Sequence, residues 1–369
     1  MALQRIETVA FVGTGIMGAP IARHILDAGY RVVVNNRTRA KTDALVAAGA
    51  VWAPTPAEAV RHADVVFTML GFPDEVEDVY LATDGILRAA KKGAYLIDLT
   101  TSSPDLARDL HDAAEIDDKH AFDCPVTGGQ EGAEAGTLTA IIGADEQTVA
   151  PVLPVISTFS TKQYYFGGAG KGQLAKLANQ VSLASCMIGY ADAMALAEQG
   201  GLDVAETLRM IGDGMGGSVA LQRLAPRSLE GDYKPGFLAE HLRKDLALAL
   251  GAAQDLDIAL PGADTSYNLY DWRCSIGGSR MGTQAITLLY ADRATGEAAG
   301  LDWSALDEVE GQGHDHEHCH HHHGEGGCGC CGDDECGCDG GCGDDGECDC
   351  GGDGECGCGG GHCHEGEEA

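Results

Sequence analysis

From Gly311 to Glu368 the sequence offers no aliphatic or aromatic side chain and no lysine or arginine, so nothing beyond Glu310 can contribute to a hydrophobic core. Residues 311–369 consist of twenty Gly, twelve Cys, nine His and sixteen Asp or Glu, with Gln312 and Ala369 completing the stretch. The part of the chain able to fold by burying apolar surface is therefore residues 1–310. That length suits two domains at roughly 100–200 residues each. Its last apolar side chains worth packing are Trp303, Leu306 and Val309. The 369-residue chain has a net charge of −33, and −17 of this falls on residues 1–310. A body so acidic is repelled by phosphate backbones and anionic lipid, which excludes a nucleic-acid or membrane-surface role. No apolar run approaches the roughly 18 residues of a membrane span.

The start of the chain runs directly into a strand-like segment, Thr8-Val9-Ala10-Phe11-Val12, which leaves no room for a signal peptide. Residues 1–310 hold only three scattered cysteines, Cys124, Cys186 and Cys274, a number that fits a reducing compartment better than a disulfide framework. A cytoplasmic location is the expectation.

Over the first ~165 residues, short β-branched runs alternate with helical stretches, the pattern of βαβ units and a parallel sheet. Strands are predicted at 9–12, 31–34, 65–69, 95–98 and 139–142. After the glycine cluster Gly167-Gly168-Ala169-Gly170 the pattern changes to helix. Lys171 to Gln199 contains no proline, and Leu174, Leu177, Val181 and Ile188 recur on one face at helical spacing. A second helix is predicted from Phe237 to Asp257 with Leu238, Leu242, Leu246, Leu250 and Ala253 in register, and a third from Asp264 to Arg273.

The most informative motif is Gly13-Thr14-Gly15-Ile16-Met17-Gly18, placed between the first strand and a helix. Glycines in that context permit a tight turn and let backbone N–H groups and a helix N-terminus meet a pyrophosphate. At the end of the second strand, where an NAD site usually has an acid for the ribose 2′-hydroxyl, the sequence reads Asn35-Asn36-Arg37-Thr38. A guanidinium there can pair with a 2′-phosphate, which favours NADP(H) and leaves NAD as the second choice.

Three later segments carry chemistry. Asp98-Leu99-Thr100-Thr101-Ser102-Ser103-Pro104 follows a strand, at the sheet edge where open α/β sheets bind ligands. Thr127-Gly128-Gly129 puts a hydroxyl beside two unhindered N–H groups able to form an anion nest. Lys176 and Asn179 lie at i and i+3 on the long helix and share a face.

In order along the chain, these motifs resemble those of the β-hydroxyacid dehydrogenase family, which includes 3-hydroxyisobutyrate dehydrogenase and the tartronate, glyoxylate and succinic semialdehyde reductases. The resemblance covers about residues 6–295: the glycines Gly13 to Gly18, Asp98 to Pro104, Asp123-Cys124-Pro125-Val126-Thr127-Gly128-Gly129, then Gly168, Gly170, Lys176 and Asn179, and finally Lys244-Asp245. It implies a Rossmann-type α/β domain over residues 1–166 that binds NADP or NAD. An all-helical domain over 167–310 follows, opening with a long interdomain helix and serving substrate binding and oligomerisation, and a disordered low-complexity tail spans 311–369. By the same resemblance Lys176 is the catalytic acid/base, and Asn179 helps orient the reacting oxygen. Thr127, Gly128 and Gly129 hold a substrate carboxylate. Gly13, Gly15, Ile16, Met17, Gly18, Asn36, Arg37, Thr38, Leu70, Gly71, Thr101 and Lys244 contact the cofactor. The substrate implied is a small carboxylate-bearing aldehyde or hydroxy acid, and the assembly a homo-oligomer.

This sequence departs from the family pattern in three places: Thr127 stands where Ser is usual, Gln180 replaces a frequent second Asn, and Gly71 replaces the usual Pro. Gly214-Met215-Gly216-Gly217-Ser218 reads equally well as a substrate-facing loop or a structural turn.

The tail has the donor set of a transition-metal site. His314, His316, His318 and Cys319 precede four Cys-x-Cys pairs: Cys328 with Cys330, Cys336 with Cys338, Cys348 with Cys350, and Cys356 with Cys358. Thiolate and imidazole suit zinc, nickel or copper. An alternative function is thus metal buffering or delivery by the tail, with the folded body as a carrier.

Overall fold

The computed structural model describes residues 6–304. Six strands form one wholly parallel sheet: β1 (Thr8–Val12), β2 (Arg31–Asn35), β3 (Val51–Trp52), β4 (Val65–Thr68), β5 (Tyr95–Asp98) and β6 (His120–Asp123). Their order is β3-β2-β1-β4-β5-β6, so the direction of strand addition reverses between β1 and β4. Loops leaving the carboxyl ends of those two strands diverge and open a crevice, the usual ligand site of such sheets. Helices cover both faces, so the central strands must be apolar on both sides. Accordingly Val9, Phe11, Val65 and Phe67 join one buried cluster, while Ala10, Val12 and Val66 join another. Each such Val or Phe contributes about 1.5–3 kcal/mol by leaving water.

Four of the five predicted strands belong to this sheet. The fifth does not. Residues 139–142 lie in β8 (Leu138–Ile142), the centre of a separate three-stranded sheet, antiparallel to β7 (Val126–Thr127) and parallel to β9 (Ser160–Tyr165). Local pattern cannot say which partner a strand finds, and here the chain returns through the short helix Gly129–Ala135 to lie against β7.

The helical part follows sequence periodicity closely. The long helix spans Lys171–Gln199, and the predicted second and third helices occupy Ala239–Asp255 and Pro261–Ser275. Leu238, Leu242, Leu246 and Ala253 are buried as their register requires. Leu174 is a correction: it is 39% exposed, whereas Leu177, Ala184, Met187 and Ala191 form the buried stripe. Trp303 packs edge-on against Trp272, with ring centroids 6.4 Å apart, while Leu306 and Val309 lie outside the described residues.

The expected metal ligands of the tail also lie outside the described residues: His314, His316, His318, Cys319, Cys328, Cys330, Cys336, Cys338, Cys348, Cys350, Cys356 and Cys358. Among the described residues no group of three or more His, Cys, Asp or Glu side chains is placed to hold a metal ion. Among those same residues no helix is long and apolar enough to cross a membrane, and the three cysteines are unbridged.

Candidate active site

The glycine loop between β1 and the helix Gly18–Asp27 has one task for each glycine. Gly13 takes φ +98°, and a Cβ there would fall 2.2 Å from the Met69 carbonyl oxygen. A Cβ on Gly18 would fall 1.9 Å from the Gly13 carbonyl oxygen, so the helix can pack this close to the strand only without one. At Gly15 nothing lies within 4 Å of a Cβ position, and the space is open for a ligand. Ile16 is exposed and Met17 half-buried beside it. No acidic residue or side-chain cap occupies the first turn, so its N–H groups and positive dipole end remain available to an anion. The Thr14 hydroxyl is buried without a partner among the described residues, and its backbone N–H donates to Asn36 Oδ1 (3.0 Å). Asn36 thus braces the loop from the end of β2. A dinucleotide fits this cradle.

Arg37 extends from the same edge, its side chain 89% exposed, and Nη1 lies 3.2 Å from Glu75 Oε1. Thr38 makes no side-chain cap at the turn that follows it. Leu70 N–H donates to Thr100 Oγ1 (2.9 Å), and Gly71 N–H donates to Glu75 Oε2 (2.9 Å).

The loop after β5 is held from both parts of the fold. Asp98 Oδ1 accepts from Thr68 Oγ1 (2.6 Å) and from Thr100 N–H (3.1 Å). On the long helix, Gln173 donates to the Thr100 carbonyl (2.7 Å) and accepts from Ser102 N–H (2.9 Å). Lys244 donates to the Thr101 carbonyl from the helix Ala239–Asp255. Thr101 is thereby fixed between two clamps. Burial pushes the Asp98 carboxyl up to about 6, opposed by the Thr68 and Thr100 hydrogen bonds and reinforced by Asp123, its register partner on β6.

Lys176 sits one turn beyond Gln173 and is only 7% exposed. Burial lowers its pKa to about 8, with Asp245 resisting and Lys244 assisting the shift. Near it runs a chain of polar contacts. Asn179 Nδ2 donates to Gln180 Oε1 (2.9 Å), Gln180 Nε2 donates to Asp245 Oδ2 (2.6 Å), and Asp245 Oδ1 lies 3.0 Å from Lys244 Nζ. The structure thus ties Asn179, Lys244 and Thr101 together around Lys176 through two residues that sequence reasoning gave no role, Gln180 and Asp245.

Thr127 ends β7, and Gly128 and Gly129 follow at φ +136° and +64°, conformations that favour glycine, at the start of the short helix Gly129–Ala135. His24, from the helix after the glycine loop, donates through Nε2 to the Ala133 or Glu134 carbonyl, each 3.0 Å away, and braces the far end of that short helix. Gly214 to Ser218 is a turn in which the Ser218 hydroxyl caps the helix Val219–Leu229 by accepting from Leu221 N–H (3.0 Å), and Met215 is fully exposed.

Sequence reasoning also missed Gln173, Glu75 and His241. His241 lies one turn before Lys244, edge-on to Phe72 with ring centroids 5.5 Å apart, and burial lowers its pKa. For Gln173 and Gln180 a signal existed: with Lys176 they interrupt the buried stripe of the long helix, where periodicity asks for apolar side chains. Glu75 and His241 had no such signal, because Arg37 and Phe72, which they meet across the fold, are distant in sequence.

Two family models match the chain in succession: the NAD binding domain of 6-phosphogluconate dehydrogenase over residues 8–167, and the NAD-binding domain of NADP-dependent 3-hydroxyisobutyrate dehydrogenase over residues 170–290. A probable 3-hydroxyisobutyrate dehydrogenase-like 1 protein of Arabidopsis thaliana is 39% identical, over 76% of this chain and 84% of its own length. The NAD-dependent L-serine dehydrogenase of Pseudomonas aeruginosa is 37% identical, over 72% of this chain and 91% of its own. Among solved structures, the 3-hydroxyisobutyrate dehydrogenase of Mycobacterium tuberculosis with L-serine superimposes with a TM-score of 0.72 at 31% identity, covering 78% of this chain and 100% of that one.

Proposed function

The chain belongs to the β-hydroxyacid dehydrogenase family and is an NAD(P)-dependent oxidoreductase, and from that premise we propose that it interconverts a small 3-hydroxy acid and its semialdehyde, with NADPH preferred to NADH. The observation that carries this reading is Lys176: a lysine only 7% exposed, whose pKa burial lowers to about 8. When bound, the nicotinamide exchanges a hydride with the substrate carbon. Reduction leaves negative charge on the substrate oxygen, and Lys176 Nζ donates the proton that neutralises it. In the oxidative direction the neutral amine takes that proton back. Asn179, held by Gln180, orients the same oxygen. Lys244 and Gln173 keep Thr101 in place at the cofactor side of the cleft.

Thr127, Gly128 and Gly129 take the substrate carboxylate. A single anion nest, without the cluster of arginines a sugar phosphate would need, favours a small acid. L-Serine and 3-hydroxyisobutyrate, in the names of the relatives, share a primary alcohol β to a carboxylate, and that is the substrate class proposed here. Gly13, Gly15, Ile16, Met17 and Gly18 take the pyrophosphate, Asn36, Arg37 and Thr38 the adenosine end, and Leu70, Gly71, Thr101 and Lys244 the remainder. The domain division follows as 1–166 for cofactor, 167–310 for substrate and self-association, and 311–369 as tail. Exposed Leu196, Met210, Met215 and Val219 supply apolar surface for a homo-oligomer. The unbridged cysteines are consistent with a cytoplasmic setting.

A second activity rests on the tail's twelve thiols and nine imidazoles, which favour binding of zinc, copper or nickel. The ligands proposed are His314, His316, His318 and Cys319 together with the paired thiols Cys328 and Cys330, Cys336 and Cys338, Cys348 and Cys350, and Cys356 and Cys358. This activity is proposed as an addition to the enzyme, because an intact lysine, cofactor cradle and anion nest argue against a mere carrier.

One experiment tests both. Full-length protein is assayed with NADPH and NADH against 3-hydroxy acids and small semialdehydes, before and after chelation, with released metal counted. Turnover that prefers NADPH and survives removal of bound metal is expected. Absence of turnover with every 3-hydroxy acid and semialdehyde would overturn the dehydrogenase reading, and absence of metal would overturn the second activity.

A further inference from the structure

Arg37 belongs to the loop after β2 and Glu75 to the first turn of the helix Pro73–Leu81 that follows β4, and β1 stands between those strands in the sheet. An ion pair joining that loop to that helix turn must therefore reach across the glycine loop at the carboxyl edge, over the end of the crevice where the adenosine ribose belongs. Glu75 is not placed there by Arg37 alone. Its second oxygen accepts the Gly71 N–H at 2.9 Å, a bond that proline, the usual family residue at that position, cannot donate. The carboxylate is thus held by backbone on one side and presented to the guanidinium on the other.

We propose that Glu75 is a cofactor-specificity residue, supplying from the first turn of the helix after β4 the ribose-binding acid that the end of β2 lacks, and so moderating the preference that Arg37 gives for a 2′-phosphate. The inference rests on the dehydrogenase reading. The chemistry of the two cofactors separates at this point. A ribose 2′-hydroxyl can donate to the Glu75 carboxylate, the interaction that Asp or Glu makes in NAD sites. A 2′-phosphate carries about two negative charges near pH 7, must displace Glu75 from Arg37, and is then repelled by it at close range. One carboxylate therefore acts on the two cofactors in opposite senses. An arginine without this counter-charge would discriminate strongly, whereas the pair admits both.

The test is fluorescence titration of NADPH and NADH binding to the full chain and to Glu75→Gln, which retains an acceptor for the Gly71 N–H and loses the charge. Glu75 is surface-exposed enough for the variant to fold, and an unchanged melting temperature checks that. The ratio of dissociation constants is expected to move toward NADPH by about tenfold, roughly 1.4 kcal/mol, and adding Arg37→Ala should erase the shift. A ratio that stays within about twofold, or two cofactors that tighten equally, overturns the proposal while leaving the dehydrogenase intact. Failure of the wild-type chain to bind either nucleotide overturns the dehydrogenase reading and this inference together.

Discussion

Lys176→Met is expected to lower kcat by about 10³-fold, within the range that a positioned general acid contributes, and to raise thermal stability at neutral pH. Both effects have one cause. Burial disfavours the ammonium, so its pKa falls from 10.5 to about 8, and Lys244 adds to the fall while Asp245 opposes it. Below about pH 8 the lysine is charged in both folded and unfolded chains, and the full cost of burying that charge is present. Between about 8 and 10.5 the folded chain binds fewer protons than the unfolded one, so the lysine's contribution becomes less unfavourable as pH rises. The cost at pH 7 is about 3 kcal/mol from a shift of this size. Methionine keeps the stem and removes the charge. A loss of folding would lower turnover and melting temperature together, whereas loss of a catalytic proton donor lowers the first and raises the second.

The pH profile of the wild type follows the same sign. Aldehyde reduction needs the protonated amine, so kcat is level below about pH 8 and falls above it. Alcohol oxidation needs the neutral amine and rises through the same value. Opposite limbs in the two directions, centred on one pH and absent in Lys176→Met, would establish the assignment. A profile that moves the same way in both directions would remove Lys176 from the proton transfer.

Much of this arrangement could be read in advance because it is written in short-range pattern. The fingerprint Gly13 to Gly18 declares itself through steric demand at each glycine, and the long helix through an unbroken run without proline. What escaped reading is what depends on partners far away in sequence. β3 has two residues, β6 mixes His120 and Asp123 with only two apolar positions, and β9 is largely polar, so none carries an alternating apolar signature. Residues 139–142 made a convincing strand whose sheet could not be inferred. At the site, the motif residues Lys176, Asn179 and Lys244 were recognisable. The side chains that aim them, Gln173, Gln180 and Asp245, act across separations such as the 65 residues between Gln180 and Asp245. A buried glutamine in a helical stripe is therefore the most useful local clue to such second partners.

Asp123 shows how far such positioning reaches. It ends β6, and its carboxylate is 2% exposed at the start of the long helix, where Oδ1 accepts from Gly170 N–H (2.8 Å) and Oδ2 from Gln173 N–H (2.6 Å). The fit is close enough to dictate neighbouring glycines: a Cβ on Gly143 would fall 2.1 Å from Oδ1, and one on Gly172 would fall 2.7 Å from Oδ2. Desolvation raises the Asp123 pKa, and the Gly170 and Gln173 N–H groups pull against that rise. Asp123→Ala leaves those donors buried and unpaired, with a helix dipole uncompensated, and is expected to cost about 3–5 kcal/mol. At about 2–4 °C per kcal/mol for a chain this large, the melting temperature should fall by roughly 10 °C. Gln173 is also the residue that holds Thr100 and Ser102, and Lys176 lies one turn further along, so kcat should fall with stability in a chain still folded at 25 °C. Asp123→Asn sharpens the test, because its amide sets an N–H against a backbone N–H and should recover little of either loss. A melting temperature within about 2 °C of wild type in both variants, roughly 1 kcal/mol or less, would mean that the long helix is held in place by its apolar stripe alone.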